Sequence, residues 1–553
     1  MSVTVAARDR TSALERAEIH APFLRNAAGA FPGIASALVD EGSEAAVALA
    51  LALDGETVAE RLRRRRHALA LATALADLSG EKPLEWVTAT LSDFADAAMD
   101  EALRCAMLER NPDEEPRGLA ILALGKLGSR ELNYSSDVDL VLLFDPATLP
   151  RRPRDEPGEA AVRYGRRFIE LMQQRTPDGY VARVDLRLRP SPEVTPIVLP
   201  AGAAISYYES SALPWERAAF IRARAAAGDR QLGQAFLNEI RPFVWRRALD
   251  FGAIQEIRDI SLRIRDHYAQ GQAFGPGYDL KRGRGGIREA EFFTQVQQLV
   301  HGGREPELRA PATLDALAAL AKAGRLEPDV ARSIGDAYRA LRTAEHRVQM
   351  IDDRQEHRLP ADPEALAAVA GLHGSDSSEA FLAMLAPGVE FVGLQFDGLV
   401  SEREERLSND PDILRSELAT LGFAEVEEAY RRISDWRSGR ARSLRSPAAL
   451  SAFEAMLPTL MGAVAAGPDP IRALNRFGDI IDKLSSGVNL YRLLGARPRL
   501  AELLALILAH AEPLADQLGR RPTLLDGLID ESSFASPPEA PALAARFLEV
   551  TRG

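Results

Sequence analysis

Apolar positions along most of this chain recur at helical spacing. Ala, Leu, Glu and Arg dominate long stretches and β-branched runs are few, so residues 1–110 read as a string of helices. Helical patterning resumes after about residue 235. It is plain over Ile287–Val300, and Phe453, Leu457, Leu460, Met461 and Val464 form one apolar stripe. Between about 115 and 200 the period changes. Gly118–Gly125 is a continuous apolar run closed by glycine and predicts a buried strand. Asp137–Phe144 predicts a second strand, ending at the Asp145-Pro146 breaker. Thr148–Glu159, rich in Pro and Arg, predicts a surface loop, and Arg163–Gln174 a helix. Tyr180–Arg189 alternates: Val184, Leu186 and Leu188 fall on one face, Arg183, Asp185, Arg187 and Arg189 on the other, predicting a third strand. Glycine or proline interrupts the pattern at Gly271–Gly286, Gly467–Pro470 and Ser532–Pro541. The fold class is therefore mostly α with one α/β island, and no short repeat points to a solenoid.

Length and charge narrow the picture. The 553 residues allow about three or four domains. A balance of 68 Lys+Arg against 80 Asp+Glu gives a net charge of −12, which argues against a general binder of nucleic acid or of anionic membranes. Apolar runs such as Ala501–His510 are too short to span a bilayer, and the first residues reach charge before any signal-like stretch. Cys105 is the single cysteine, so no intramolecular disulfide or Cys-rich zinc site can form, and the cytoplasm is the default compartment. The Arg63–Arg66 run reads as a solvated helical face. Only five lysines stand beside 63 arginines. Two of them, Lys126 and Lys281, lie in glycine-rich turns, where phosphate contact competes with a plain surface role.

The chemistry concentrates in Gly125–Asp145, which lacks a Walker A string. Asp137 and Asp139, two apart on a strand, share a face with Cα atoms about 7 Å apart. Asp185 offers a third carboxylate on a polar face. Paired carboxylates repel, and a divalent cation between them removes that cost. Three Asp beside a Gly-Ser turn suit a two-metal phosphoryl-transfer site for Mg²⁺, with Mn²⁺ as a substitute. The backbone N–H groups of Gly128 and Ser129 are candidates to cradle phosphate oxygens. Arg187 and Arg189 either neutralise substrate phosphate or pair with carboxylates. The Gly283–Gly286 turn could hold an anion at a helix start, though Glu289 and Glu291 there read better as capping groups. Phe292 and Phe293 read as core.

Four strings carry a resemblance: GKLGSRELNYSSDVDLVLLFD (125–145), RVDLRLRP (183–190), PWERAAFIRARAAAGD (214–229) and GRGGIREAEFFTQVQQLVHGGREPELR (283–309). With EHRVQMIDDRQEHRLP (345–360) they resemble the amino-terminal half of the bacterial glutamine synthetase adenylyltransferase/adenylyl-removing enzyme family, and the helical stretch 450–530 resembles its central segment. The resemblance implies a polymerase-β-like nucleotidyltransferase domain at 111–235, flanked by helical regions at 1–110, 236–440 and 441–553. It further implies Asp137, Asp139 and Asp185 as catalytic metal ligands and Gly128 and Ser129 as the phosphate-binding turn; Lys126, Arg187 and Arg189 remain beside them as the residue-based candidates for contact with phosphate or nucleotide. The implied reaction is phosphorolytic removal of AMP from a tyrosine of glutamine synthetase, releasing ADP, under control of the PII signal protein in nitrogen assimilation. Inorganic phosphate and ATP/ADP are the implied small partners, with neither nucleic acid nor membrane. Two departures stand out. Only one Gly-Ser/Asp-x-Asp set is present where the family has two, and Gly128-Ser129 replaces the family's common Gly-Gly. Adenylylation from ATP, nucleotidylation of another regulatory protein and a non-catalytic fragment are the alternatives.

Overall fold

The computed structural model describes residues 2–246, 273–400, 407–408, 410–484, 487–496 and 498–520. The chain forms two compact units, 1–400 and 401–553. The boundary thus falls at 400/401, and the boundary expected near 440 lies inside the second unit. The punctuation expected at Ser532–Pro541 lies outside the described residues.

The first unit is mostly helical around one small mixed sheet. Its strands are β1 (Leu119–Ala123), β2 (Asp137–Phe144), β3 (Arg183–Asp185), β4 (Val198–Pro200) and β5 (Arg224–Gly228). β1 runs antiparallel to β2 on one side and to β5 on the other. Both β3 and β4 pair in parallel with β2, β3 along its first residues and β4 along its last. Every residue of β1 is buried. The reason is that both sheet faces are covered: Ile121, Leu140 and Leu142 pack with helices of the amino-terminal region, while Leu122, Val141 and Leu143 pack with Leu199, Phe220 and Phe236. A strand buried on both faces reads as unbroken apolar sequence. Only Asp137 and Asp139, at the start of β2, escape complete burial.

β3 is much shorter than the alternation over Tyr180–Arg189 predicts. Asp185 Oδ1 accepts the backbone N–H of Arg187 at 2.8 Å, an Asx turn that draws the chain out of the ladder. The helix expected from Arg163 begins earlier, at Pro157, and runs to Gln173, so the expected loop ends before Glu159. Proline at the first helical position supplies that start.

The Arg63–Arg66 run is a correction. Arg63 is buried and its Nε donates to the Gln174 carbonyl at 3.1 Å. Arg65 Nε donates to the Leu53 carbonyl at 2.7 Å. Arg66 pairs with Asp353 at 2.7 Å and stacks over the Tyr180 ring at 4.6 Å. The run ties the amino-terminal helices to the sheet region instead of forming a solvated face.

Helix Ile287–His301 buries Phe292 and Phe293 as expected. Helix Ser378–Val400 contains a stretch, Ser378–Leu399, long and apolar enough to cross a membrane by length and composition. Its Phe381, Leu385, Val389, Val392 and Phe396 belong instead to the core around Tyr338 and Phe292, which accounts for the apolarity.

The second unit is helical throughout its described residues. Asp410, Ser446 and Asp469 each accept a backbone N–H of the helix they precede, and each is followed by Pro. A capping side chain and a proline that needs no N–H partner define sharp helix starts. The stripe Phe453, Leu457, Leu460, Met461 and Val464 is fully buried against Phe477 and Tyr491.

Candidate active site

Strand pairing assembles the site. The parallel register sets Asp139 opposite Asp185 and Asp137 opposite Arg183. Strands paired this way lie about 4.8 Å apart, so the carboxylates of Asp139 and Asp185 are neighbours on one face. Asp139 is half-buried and receives no hydrogen bond to its carboxylate among the described residues. Burial, and then the charge of Asp185, push its pKa up to about 6. Burial also acts to raise Asp185, but hydrogen bonds from Arg187 outweigh it and hold that carboxyl below its usual range. Arg187 Nε stands 2.8 Å from Asp185 Oδ2.

Asp137 is held from two sides. Arg183 Nε donates to its Oδ1 at 2.7 Å, and Gln355 Nε2 to its Oδ2 at 3.0 Å. Arg183 is itself fixed: it donates to the Tyr180 hydroxyl at 2.8 Å and to the Ser135 carbonyl at 2.9 Å. Neither Arg183 nor Gln355 is singled out by sequence reasoning. The signal for Arg183 was its place opposite Asp137 in the register; Gln355 left none.

Behind the carboxylates the chain turns at Gly125–Gly128, a single helical turn. Gly125 has φ +55, and a Cβ there would meet Asp139 Oδ2 at 2.4 Å. Only glycine fits both the left-handed backbone and the close approach. Gly128 and Ser129 do not cradle an anion with their amides. The Gly128 N–H donates to the Leu124 carbonyl at 2.9 Å, and the Ser129 N–H to the Gly125 carbonyl at 3.2 Å. A Cβ at Gly128 would lie 1.8 Å from the Arg222 carbonyl oxygen, so this glycine serves packing. Ser129 is buried, and its hydroxyl donates back to carbonyls of the same turn.

Two of the expected phosphate contacts have partners within the chain. Lys126 points inward and donates to both oxygens of Glu345, at 3.0 and 2.9 Å. Burial lowers its pKa to about 8. Arg189 clamps its own loop, donating to the carbonyls of Leu186 at 2.9 Å, Pro192 at 2.6 Å and Thr195 at 3.2 Å. Arg187, by contrast, faces the carboxylates and pairs with Asp185. Glu289 accepts the Gly285 N–H at 2.7 Å, matching a capping role. Glu291 instead is buried toward Arg222, 3.1 Å away.

Whether these residues fit a divalent cation can be judged from the donors. Asp139 and Asp185 adjoin, and the first lacks any donor; hard carboxylate oxygens suit Mg²⁺ or Mn²⁺. Yet among the described residues no group of three acidic, His or Cys side chains is drawn close enough to enclose an ion. Arg183 and Arg187 hold Asp137 and Asp185 instead. The chemistry fits a cation, and loading it would displace those arginines.

Comparison with known proteins places this arrangement. Residues 23–239 match the glutamate-ammonia ligase adenylyltransferase family, and residues 258–400 match the family described as GlnD PII-uridylyltransferase. Bifunctional glutamine synthetase adenylyltransferase/adenylyl-removing enzymes align along nearly the whole chain. That of Caulobacter vibrioides is 42% identical over 90% of this chain and 53% of its own length. Those of Bradyrhizobium diazoefficiens and Agrobacterium fabrum are 40% and 39% identical over 91% and 88% of this chain. The chain spans about half the length of these relatives, covering 53% and 52% of the latter two. Over that shared half, the chain is a homologue of enzymes named bifunctional glutamine synthetase adenylyltransferase/adenylyl-removing enzyme.

Proposed function

We propose that this chain removes AMP from an adenylylated tyrosine of glutamine synthetase by phosphorolysis, through a polymerase-β-like nucleotidyltransferase site. The observation that carries the reading is the pair Asp139–Asp185, set side by side by strand register, with Asp139 undonated and pushed up to about 6. Asp137, Asp139 and Asp185 would hold Mg²⁺. That ion, when bound, supplies charge compensation for phosphate oxygens. The residues of the chain do the rest. Gly125 keeps the space in front of Asp139 open. Arg183 orients Asp137, and Arg187, released from Asp185, is placed to meet phosphate oxygens. A phosphate oxygen attacks the AMP phosphorus, the bond from phosphorus to the tyrosyl oxygen breaks, the tyrosine regains a proton, and ADP leaves. PII acts as the regulatory partner.

The test is direct. Adenylylated glutamine synthetase, Mg²⁺ and radiolabelled phosphate are mixed with the chain, with and without modified PII. Label recovered in ADP supports phosphorolysis. Unlabelled AMP would indicate hydrolysis, and AMP transferred from ATP onto unmodified glutamine synthetase would assign the opposite reaction.

A further inference from the structure

An incoming phosphate needs positive charge, and the sheet provides little. Lys126 and Arg189 are committed elsewhere, and Arg187 already pairs with Asp185. We propose that Lys281, from the helical region after the sheet, is a phosphate-binding group of the Asp137–Asp139–Asp185 site; the inference rests on the functional reading above.

The backbone around Lys281 is tightly fixed. Asp279 forms an antiparallel bridge with Arg358. The Leu280 N–H donates to the His357 carbonyl at 2.8 Å, and the Leu359 N–H to the Tyr278 carbonyl at 2.9 Å. Asp279 Oδ1 accepts the N–H groups of Lys281 at 3.0 Å and Arg282 at 2.8 Å, and the Lys281 carbonyl accepts the Arg288 N–H at 3.0 Å. The segment to which this run is stitched touches the site. Gln355 donates to Asp137 at 3.0 Å, and His357 Nδ1 lies 2.7 Å from Glu345, the partner of Lys126. Lys281 therefore leaves a rigid backbone stitched to the segment that reaches both Asp137 and the Glu345–Lys126 pair.

Its ammonium has no hydrogen bond or ion pair among the described residues, and the side chain is half-buried. Its charge nevertheless reaches Asp139 and Glu291 and opposes that of Lys126. A fixed backbone under a cation without a hydrogen-bond partner among the described residues, whose charge reaches a carboxylate without a donor, suits an anion's oxygens. A phosphate held there would give the Lys281 ammonium a charge-assisted partner, while Asp137, Asp139 and Asp185 would hold the cation.

Calorimetry on the full chain tests this with ADP and with AMP, each in Mg²⁺, for the parent, Lys281→Ala and Lys281→Arg. ADP carries the incoming phosphate as well as that of AMP. Weakening of ADP alone by tenfold or more in Lys281→Ala, with recovery in Lys281→Arg, assigns Lys281 to the incoming phosphate. Equal weakening of both nucleotides assigns it to the AMP phosphate, and the proposal stands in that form. Affinities of both within twofold of the parent overturn it. Parent chain that binds ADP but never produces it defeats the functional reading alone; parent chain that binds neither nucleotide overturns both.

Discussion

Two carboxylates of the first unit, Glu345 and Asp139, meet opposite fates. Glu345 is fully buried, which alone would raise its pKa, yet Lys126, His357 and Arg342 gather on it and hold it well below the usual range. Asp139 is less buried, but it has Asp185 for a neighbour and no donor, and it stands near 6. Depth of burial does not order the two; the partners do. Charge closed upon itself joins helix Pro328–Asp352 to the turn at Gly125–Gly128, whereas the charge of Asp139 is left open near the start of β2.

The sharpest way to break that contrast is Asp139→Asn. Turnover is expected to fall at least about 10²–10³-fold, as for loss of a charge-stabilising group. Stability moves the other way. The folded pKa is raised, so the stabilising contribution is complete below the unfolded value of about 4 and is lost as pH rises through about 6. Above pH 6, without metal, the variant should therefore be more stable than the parent by about 1–3 kcal/mol, and the difference should vanish near pH 4. Thermal melts across pH 4–7.5 read both limbs. A destabilised variant would show that Asp139 has a partner after all.

Glu345→Ala should do the reverse, costing about 3–5 kcal/mol because Lys126 and Arg342 are left buried without their carboxylate. A lowered denaturation midpoint is the measurement. The double replacement Lys126→Met with Glu345→Leu should recover the part of that loss that belongs to Lys126, since apolar pairs of similar volume substitute well for buried ion pairs, while Arg342 still lacks its carboxylate. Arg183→Lys comes next. It keeps the charge but loses the fork that spans Asp137, Tyr180 and Ser135, and turnover should drop about tenfold, the scale of a charge-assisted hydrogen bond. The smallest effect belongs to Arg187→Met. Its side chain is 83% exposed, so stability should change by no more than about 0.5 kcal/mol, while carboxylate titration by NMR should find Asp185 raised.

Where one residue's neighbours in sequence determine its surroundings, the structure was legible in advance. β2 has the predicted limits, and the placement of Asp137 and Asp139 between inward Val138 and Leu140 follows from alternation alone. What escaped depends on distant partners. Lys126 looks like a turn lysine until Glu345, 219 residues away, is brought beneath it. Arg66 looks solvated until Asp353 and Tyr180 arrive, and the alternation of Tyr180–Arg189 gives no hint that the Asp185 side chain will end its own strand. Gly128 is ambiguous for a related reason: a glycine needed for close packing and one needed to approach a ligand look alike in sequence.

Gly125 has a consequence for how sequences of this kind can drift. Any side chain there would collide with the Asp139 carboxylate, on a backbone at φ +55 that already disfavours it. Most of the surrounding fold does not depend on that collision being avoided; the position of Asp139 does. A lineage under selection for the proposed reaction should therefore hold glycine at this position for two reasons, whereas one that keeps the fold but has abandoned the reaction retains only the backbone's. The occupancy of a single turn position then distinguishes working copies from retired ones, before any change in the carboxylates themselves.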